Sequence, residues 1–409
     1  MSEKSRAIHV IGGGISGLIA AKTLENEGYS PIIIEASSNA GGRVQSTCEQ
    51  GLFFDHGFQV LLTAYPQVQK HLDVAALKLK YFKPGALIFR KGKVERIGDT
   101  LRDASALFPT LFTAIGSLSD KLKIFKLSQG LKRKSISQIF KGPQKTTLQY
   151  LQEYGFSEKI ITNFFKPFFT GIFLEERLST PAPLFEFIFK MFTEGYAAIP
   201  EKGIGAIGNQ LVAQLSNTEF LFNKKVLKVK GTKIFLSDKE VIDSKNVLIT
   251  IPIDSETNTL DPELVKWKSC ENLYFTVTKR TFPEGLIGLV PDENALLNNL
   301  YFPFGQALNG YPILSVTLVK THELNEAELV DQVSQELKLH CGISVKNLIK
   351  HFKINRALPD LSQVTLPDGA TVKKERKEVA MAGDWTSNGS LNAAMASGEN
   401  AAKAILASV

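Results

Sequence analysis

An α/β fold built on a parallel sheet is predicted by three features at the start of the chain. The run Ile8-His9-Val10-Ile11 is apolar and β-branched, as a strand buried on both faces should be. Gly-x-Gly-x-x-Gly follows at once as Gly12, Gly14 and Gly17. A second apolar run, Pro31-Ile32-Ile33-Ile34, ends on Glu35. Gly12 permits a tight turn out of the first strand, Gly14 lets the backbone approach a pyrophosphate, and Gly17 allows the next helix to pack closely on the sheet. That helix is predicted from Ile15 to about Glu27, with Leu18, Ile19, Ala21 and Leu24 spaced for burial and Gly28 placed to end it. Its first residues, Ile15 and Ser16, offer N–H groups at the positive end of a dipole, where phosphate binds. Glu35, followed by Ala36, can accept hydrogen bonds from both ribose hydroxyls of an adenosine and would repel a 2′-phosphate. The reading is a dinucleotide site that disfavours NADP.

Gly41-Gly42-Arg43 extends this signature. The stretch from Gly12 to Arg43 resembles the opening motif of the flavin-containing amine oxidase superfamily. That group includes monoamine oxidases, protoporphyrinogen oxidases and plant-type carotenoid desaturases. The resemblance implies FAD as the dinucleotide, with a Rossmann-like FAD-binding domain and an inserted α+β substrate-binding domain. By it, Arg43 would neutralise the pyrophosphate, and Gly41 and Gly42 would let the loop pass beneath the isoalloxazine. Phe54-Asp55-His56-Gly57-Phe58-Gln59 is similar to the family segment that brings backbone to the flavin, which places Gly57, Phe58 and Gln59 near the ring. Residues 64–69 are similar to the sequence after that turn in plant-type phytoene desaturases. Near the other end, Gly383-Asp384 and a short loop lead into Ser390-Leu391-Asn392 and a helix rich in small residues. By the same resemblance Asp384 would meet a ribityl hydroxyl or sit beside the pyrophosphate. The N–H groups near Leu391 and Asn392 would face the flavin, where a positive helix end stabilises the anionic reduced ring. Ala393, Ala394, Ala396 and Gly398 keep that helix thin. In the middle, residues 200–206 precede a helix to about Leu215, with strands expected at 226–229, 234–236 and 246–252. In the family this block returns to the FAD domain, and a backbone contact near Val226 holds the adenine.

The match also has gaps. Amine oxidases of this superfamily often hold a lysine near the flavin, and Lys266, Lys268, Lys279 and Lys320 are candidates by position alone. No aromatic pair that would form an amine cage flanks Asp384. His56 is the nearest candidate base, although a structural histidine beside the turn is the favoured reading. No catalytic side chain is assigned. These gaps favour desaturation or oxidation of an apolar substrate over amine oxidation.

Composition sets bounds. A chain of 409 residues with 44% hydrophobic and 22% charged residues can fill two cores. Cys48, Cys270 and Cys341 have no C-x-x-C spacing, which argues against a disulfide framework and against a metal site. No apolar stretch precedes the first strand and no window approaches the roughly 20 apolar residues of a spanning helix, so a cytoplasmic location is expected. There is no second Gly-x-Gly-x-x-Gly for a nicotinamide dinucleotide.

Two stretches stand out. Residues 83–145 carry 14 Lys and Arg against 4 Asp and Glu, in a chain whose net charge is only +7. Within them Leu107, Phe108, Leu111, Phe112, Ile115, Leu118, Leu122 and Phe125 recur at helical spacing. The favoured reading makes this stripe core and its lysines a solvated face. The second reading lays residues 105–135 on an anionic bilayer as a peripheral contact. No nucleic-acid motif accompanies the charge. The other stretch places nine phenylalanines between Phe164 and Phe192, readable as helical core or as the wall of an apolar pocket.

The expected organisation is an FAD-binding domain from 1–75, 195–255 and 345–409. A substrate-binding domain is expected from 76–194 and 256–344, with helices over a mixed or antiparallel sheet and strands near 273–278 and 313–318. The expected chemistry is hydride transfer from a largely apolar small-molecule substrate to flavin N5, as in a desaturase or protoporphyrinogen oxidase, with reoxidation by oxygen or a quinone. Amine oxidation is the second reading. A flavin-containing carrier of an isoprenoid or tetrapyrrole is the third. The oligomeric state is not legible.

Overall fold

The predicted strands around the glycine-rich turn form one parallel sheet. In the computed structural model, which describes residues 8–90, 92–98, 115–253, 259–367, 374–376 and 378–407, this sheet has six strands. In spatial order they are Glu219–Leu221, Ile32–Ile34, Ile8–Ile11, Asn246–Ile249, Val379–Met381 and Lys374–Arg376, and all neighbours but the last pair run parallel. Val10 lies opposite both Ile33 and Leu248, so three β-branched or leucyl side chains fill the centre. Helix α1 (Ile15–Asn26) covers one face. A three-stranded antiparallel sheet, Val226–Lys230, Lys233–Leu236 and Val241–Asp243, covers the other through Val229 and Ile234 against Ile11 and Ile249. The layering is that of a doubly covered dinucleotide-binding sheet.

The second unit is an eight-stranded, mostly antiparallel sheet centred on Trp267–Val277. That strand pairs antiparallel with Tyr311–Leu318 on one side and with Val345–Pro359 on the other. One pair, Gly85–Arg90 with Gly288–Leu289, is parallel. The expected boundary at 345 is therefore corrected, because residues 345–359 belong to this second sheet. Their half-buried pattern suits an edge strand.

Helices α2 (Leu118–Arg133), α3 (Lys166–Phe173) and α4 (Ala182–Glu194) pack beside this sheet. Phe165, Phe169, Phe185 and Phe187 are fully buried among them; the Phe185 ring touches those of Phe165 and Phe169, and Phe187 stacks with Tyr65 and meets Phe140. The expectation that the stripe including Leu118, Leu122 and Phe125 is core is corrected for those three. All are exposed, and α2 buries Asp120, Leu127 and Leu131 instead. Asp120 can take a core position because Ser117 and Ser157 donate to its carboxylate. Residues 107–112 of the stripe lie outside the described residues.

Helix α5 (Leu391–Leu406) returns to the first unit and packs along α1. A Cβ on Gly398 would stand 2.1 Å from the Ser16 carbonyl oxygen, so the two backbones touch. No helix among the described residues is long and apolar enough to cross a membrane.

Candidate active site

Two helix N-termini and two glycine turns converge on one cavity of about 480 Å³ between the sheets. Gly14 caps α1 in extended backbone, and the loop carrying Gly41 and Gly42 lies against it, with Gly41 N donating to Gly13 O at 2.8 Å. Gly12 leaves the strand at φ +100°, where side chains are strained. A Cβ on Gly17 would stand 2.0 Å from the Gly12 carbonyl oxygen, which explains the third glycine of the motif. Ser390 caps α5 and its side chain accepts from Ala393 N at 3.0 Å. The N–H groups of Leu391 and Asn392 have no acceptor within the helix by construction.

Gly12, Gly14, Ile15, Ser16, Glu35, Gly41, Gly42, Arg43, Gly57, Phe58, Gln59, Gly383, Asp384, Ser390 and Leu391 all line this cavity. Four anticipated residues do not. Gly17 packs α1 on the sheet, and Ala36 follows Glu35 outside the wall. Val226 is buried with Ile34, and Asn392 accepts from Gln67 N at 3.1 Å through its side chain. Glu35 follows its strand and takes Gly13 N–H at 2.7 Å and Ser37 N–H at 2.8 Å, which fixes its carboxylate in the cavity wall.

Arg43 forms an ion pair with the buried Asp384, donates to Ala357 O at 3.1 Å and stacks 5.1 Å from the Trp267 ring. It ties the first unit to both long strands of the second. Gln59 Nε2 donates to Arg43 O and His56 O, holding the Gly57 turn closed. His56 stacks on Phe352 at 4.4 Å and bonds Thr47 Oγ1 at 2.8 Å, and burial lowers its pKa. It also lines the cavity.

Sequence reasoning missed several wall residues. Thr250 donates to Ile11 O at 2.8 Å and closes the floor under Gly12. Asn299 and Thr317 bring polar groups from two strands, joined Nδ2 to Oγ1 at 3.2 Å. Their signal was a polar residue inside an apolar run. Of the four candidate lysines only Lys268 reaches the cavity, where it bonds Thr180 Oγ1 at 3.1 Å and lies 3.5 Å from Asp360.

Behind the Gly57 turn, Asp55 is sealed from solvent and accepts from Ser46 Oγ at 2.5 Å and Ile204 N at 2.9 Å. Burial, only partly offset by these bonds, pushes its carboxyl from 3.8 up to about 6. A raised folded-state value means stability is greatest below the ordinary value and is lost as pH rises through about 6. Asp55→Asn keeps the acceptor and removes the buried charge. Compared by urea unfolding across that window, the wild type should lose about 3 kcal/mol relative to the variant as pH rises. Parallel curves would contradict this reading.

The residues present fit FAD. Gly12, Gly14, Gly41 and Gly42 line the groove, and only Gly42 Cα, at 3.8 Å, stands near the Cβ position of Gly14, which leaves bare backbone as a cradle against which a pyrophosphate would lie. The cavity then runs past Gly57 and Leu391 into an apolar chamber.

Comparison with known proteins decides the lineage. The sequence profile of the flavin-containing amine oxidoreductases matches residues 15–406. The chain belongs to this family. FAD is its cofactor, and the family is one of FAD-dependent oxidoreductases. The chain is 25% identical over 166 residues to protoporphyrinogen oxidase 2, chloroplastic/mitochondrial, of Arabidopsis thaliana, covering 41% of the chain and 32% of the relative. It is 29% identical over 167 residues to an L-amino-acid oxidase of Bothrops pauloensis, covering 38% and 33%. The matched stretch thus spans about a third of these curated relatives. Among solved structures, a CLA-producing fatty acid isomerase from P. acnes aligns over 98% of both chains at TM-score 0.72 and 17% identity. Cyclohexylamine oxidase from Brevibacterium oxydans IH-35A aligns over 98% of both at TM-score 0.68 and 14% identity. These last two share the fold.

Proposed function

We propose that this protein oxidises a large, mostly apolar substrate. The observation that carries this reading is the chamber beyond the Gly57 turn, walled by Phe168, Ile172, Phe173, Leu184, Ile188 and Phe192. Such a wall recognises shape and apolar area, with a few polar groups for orientation. Here those groups are Lys268, Asn299 and Thr317.

When bound, FAD supplies an acceptor for a hydride from a substrate C–H, and oxygen or a quinone restores it. The chain's own residues do the rest. Gly57, Phe58, Ser390 and Leu391 would hold the ring, and the N-terminus of α5 would offset negative charge gained there. Phe58 is set in place by Tyr301 at 4.7 Å and Phe82 at 5.9 Å. The phenylalanines of α3 and α4 exclude water from the reacting carbon. The protoporphyrinogen oxidase relative supports a bulky apolar ring system as substrate.

Ile172→Trp and Ile188→Trp fill the chamber without touching the dinucleotide groove. Each should raise KM for a porphyrinogen or polyene by about tenfold, a loss of about 1.4 kcal/mol, with flavin content unchanged. Unaltered kinetics in both would place the substrate elsewhere. A second reading, amine oxidation, is favoured by one observation, Lys268 in the cavity wall. Flavin reduction by amines and not by apolar substrates would promote it.

A further inference from the structure

We propose that the outer face of α2 is a docking surface for an anionic lipid bilayer. The helix presents two opposite faces. Asp120, Leu127 and Leu131 are buried beneath it. On the other side Leu118, Leu122 and Phe125 form a stripe at i, i+4 and i+7, with relative exposures of 65%, 70% and 49%. At 3.6 residues per turn these three stack along one line. Exposed Lys126 and Arg133 flank it on one side, and Lys121 and exposed Lys132 on the other. Isolated surface leucines are ordinary, whereas a continuous apolar stripe on one helix marks a contact.

The basic rim decides what covers the stripe. An apolar protein face needs no flanking cations. A bilayer with anionic headgroups uses both features, taking leucine and phenylalanine into the acyl boundary while lysine and arginine meet phosphate. Residues 118–134 carry six basic residues against one acid, the buried Asp120, so the helix itself is strongly cationic.

The stripe is also held outward. From α4, Lys190 Nζ donates to Leu131 O at 3.0 Å and Lys132 O at 3.1 Å, and Glu186 accepts from Lys134 at 2.8 Å. These contacts fix the C-terminal end of α2 and stop it rolling its apolar side into the core. The same α4 sends Leu184, Ile188 and Phe192 into the cavity. One helix therefore separates the docking face from the chamber. The inference rests on exposure and charge, independently of the substrate.

The test is flotation of the holoprotein with vesicles of phosphatidylcholine alone or with added phosphatidylglycerol. Binding should require the anionic lipid and weaken with salt. Leu122→Glu with Phe125→Glu should lower partitioning by more than about tenfold. Lys126→Glu with Arg133→Glu should lower it about fivefold per residue. Flavin absorbance and Tm should stay unchanged in both pairs, since all four side chains face outward. The proposal is overturned if the wild type remains in the lipid-free fraction, binds both vesicle types equally, or binds as before after these substitutions. A dimer that dissociates on Leu122→Glu, without lipid binding, would assign the stripe to a second copy of the chain.

Discussion

Gly14→Ala is expected to give a folded protein that retains little FAD. The position has φ −71° and ψ 179°, which any residue adopts, and the new methyl group would meet only Gly42 Cα at an ordinary 3.8 Å. Apoprotein stability should change by no more than about 1 kcal/mol, the cost of alanine at an N-cap. The methyl nevertheless fills the cradle through which pyrophosphate would pass. Forced overpacking costs about 1–3 kcal/mol, so FAD affinity should fall about 10- to 100-fold. Measuring flavin retained after gel filtration beside the Tm of the apoprotein separates the two effects. Full retention would mean that the dinucleotide does not cross Gly14.

Gly398→Leu has the opposite character. Leucine is the better helix former by about 1 kcal/mol, so a helix alone would gain. In this fold its Cβ would stand 2.1 Å from the Ser16 carbonyl oxygen and 2.9 Å from the carbonyl carbon, atoms of the α1 backbone that cannot yield. The helices must separate, at about 3 kcal/mol or more. Because α1 and α5 each present an N-terminus to the cofactor groove, FAD binding should fall together with stability. Gly130→Ala is the control. It lies exposed within α2 with nothing within 4 Å of its Cβ, and it should stabilise by about 1 kcal/mol. Thermal unfolding of the two variants checks both signs. Equal, small shifts would show that the α1–α5 contact is looser than described.

These glycines illustrate how much of the fold could be read from the chain. The turn from Ile11 to Gly17 was revealed by its spacing, although only Gly17 answers to a near neighbour, the Gly12 carbonyl oxygen, while Gly12 faces Thr250 and Gly14 faces Gly42. The thin face of α5 was also legible, but its partner was not, because Gly398 meets Ser16 only through the tertiary fold. Strand 345–359 was placed with the wrong sheet for the same reason. A strand's pattern reports how much of it is buried and leaves open which strand it pairs with, here Trp267–Val277. The face of α2 was misread because Asp120, a carboxylate, holds a core position. The serines that satisfy it, Ser117 and Ser157, include one from another helix start, which no periodicity discloses. At the cavity, residues on the glycine turns were anticipated from motif. Asn299, Thr317 and Lys268 come from separate strands that only the sheet brings together.

The substrate class is the central claim, and anaerobic titration of the purified holoprotein tests it most directly. The oxidised-flavin spectrum is followed while a porphyrinogen, a polyene and simple amines are added in turn. Bleaching by the porphyrinogen or polyene, with no response to amines, is the expected result. Bleaching by amines alone would contradict the account and make Lys268 the first residue to examine. A spectrum that none of these ligands bleaches, although they bind, would leave a flavin-holding carrier in place of an enzyme.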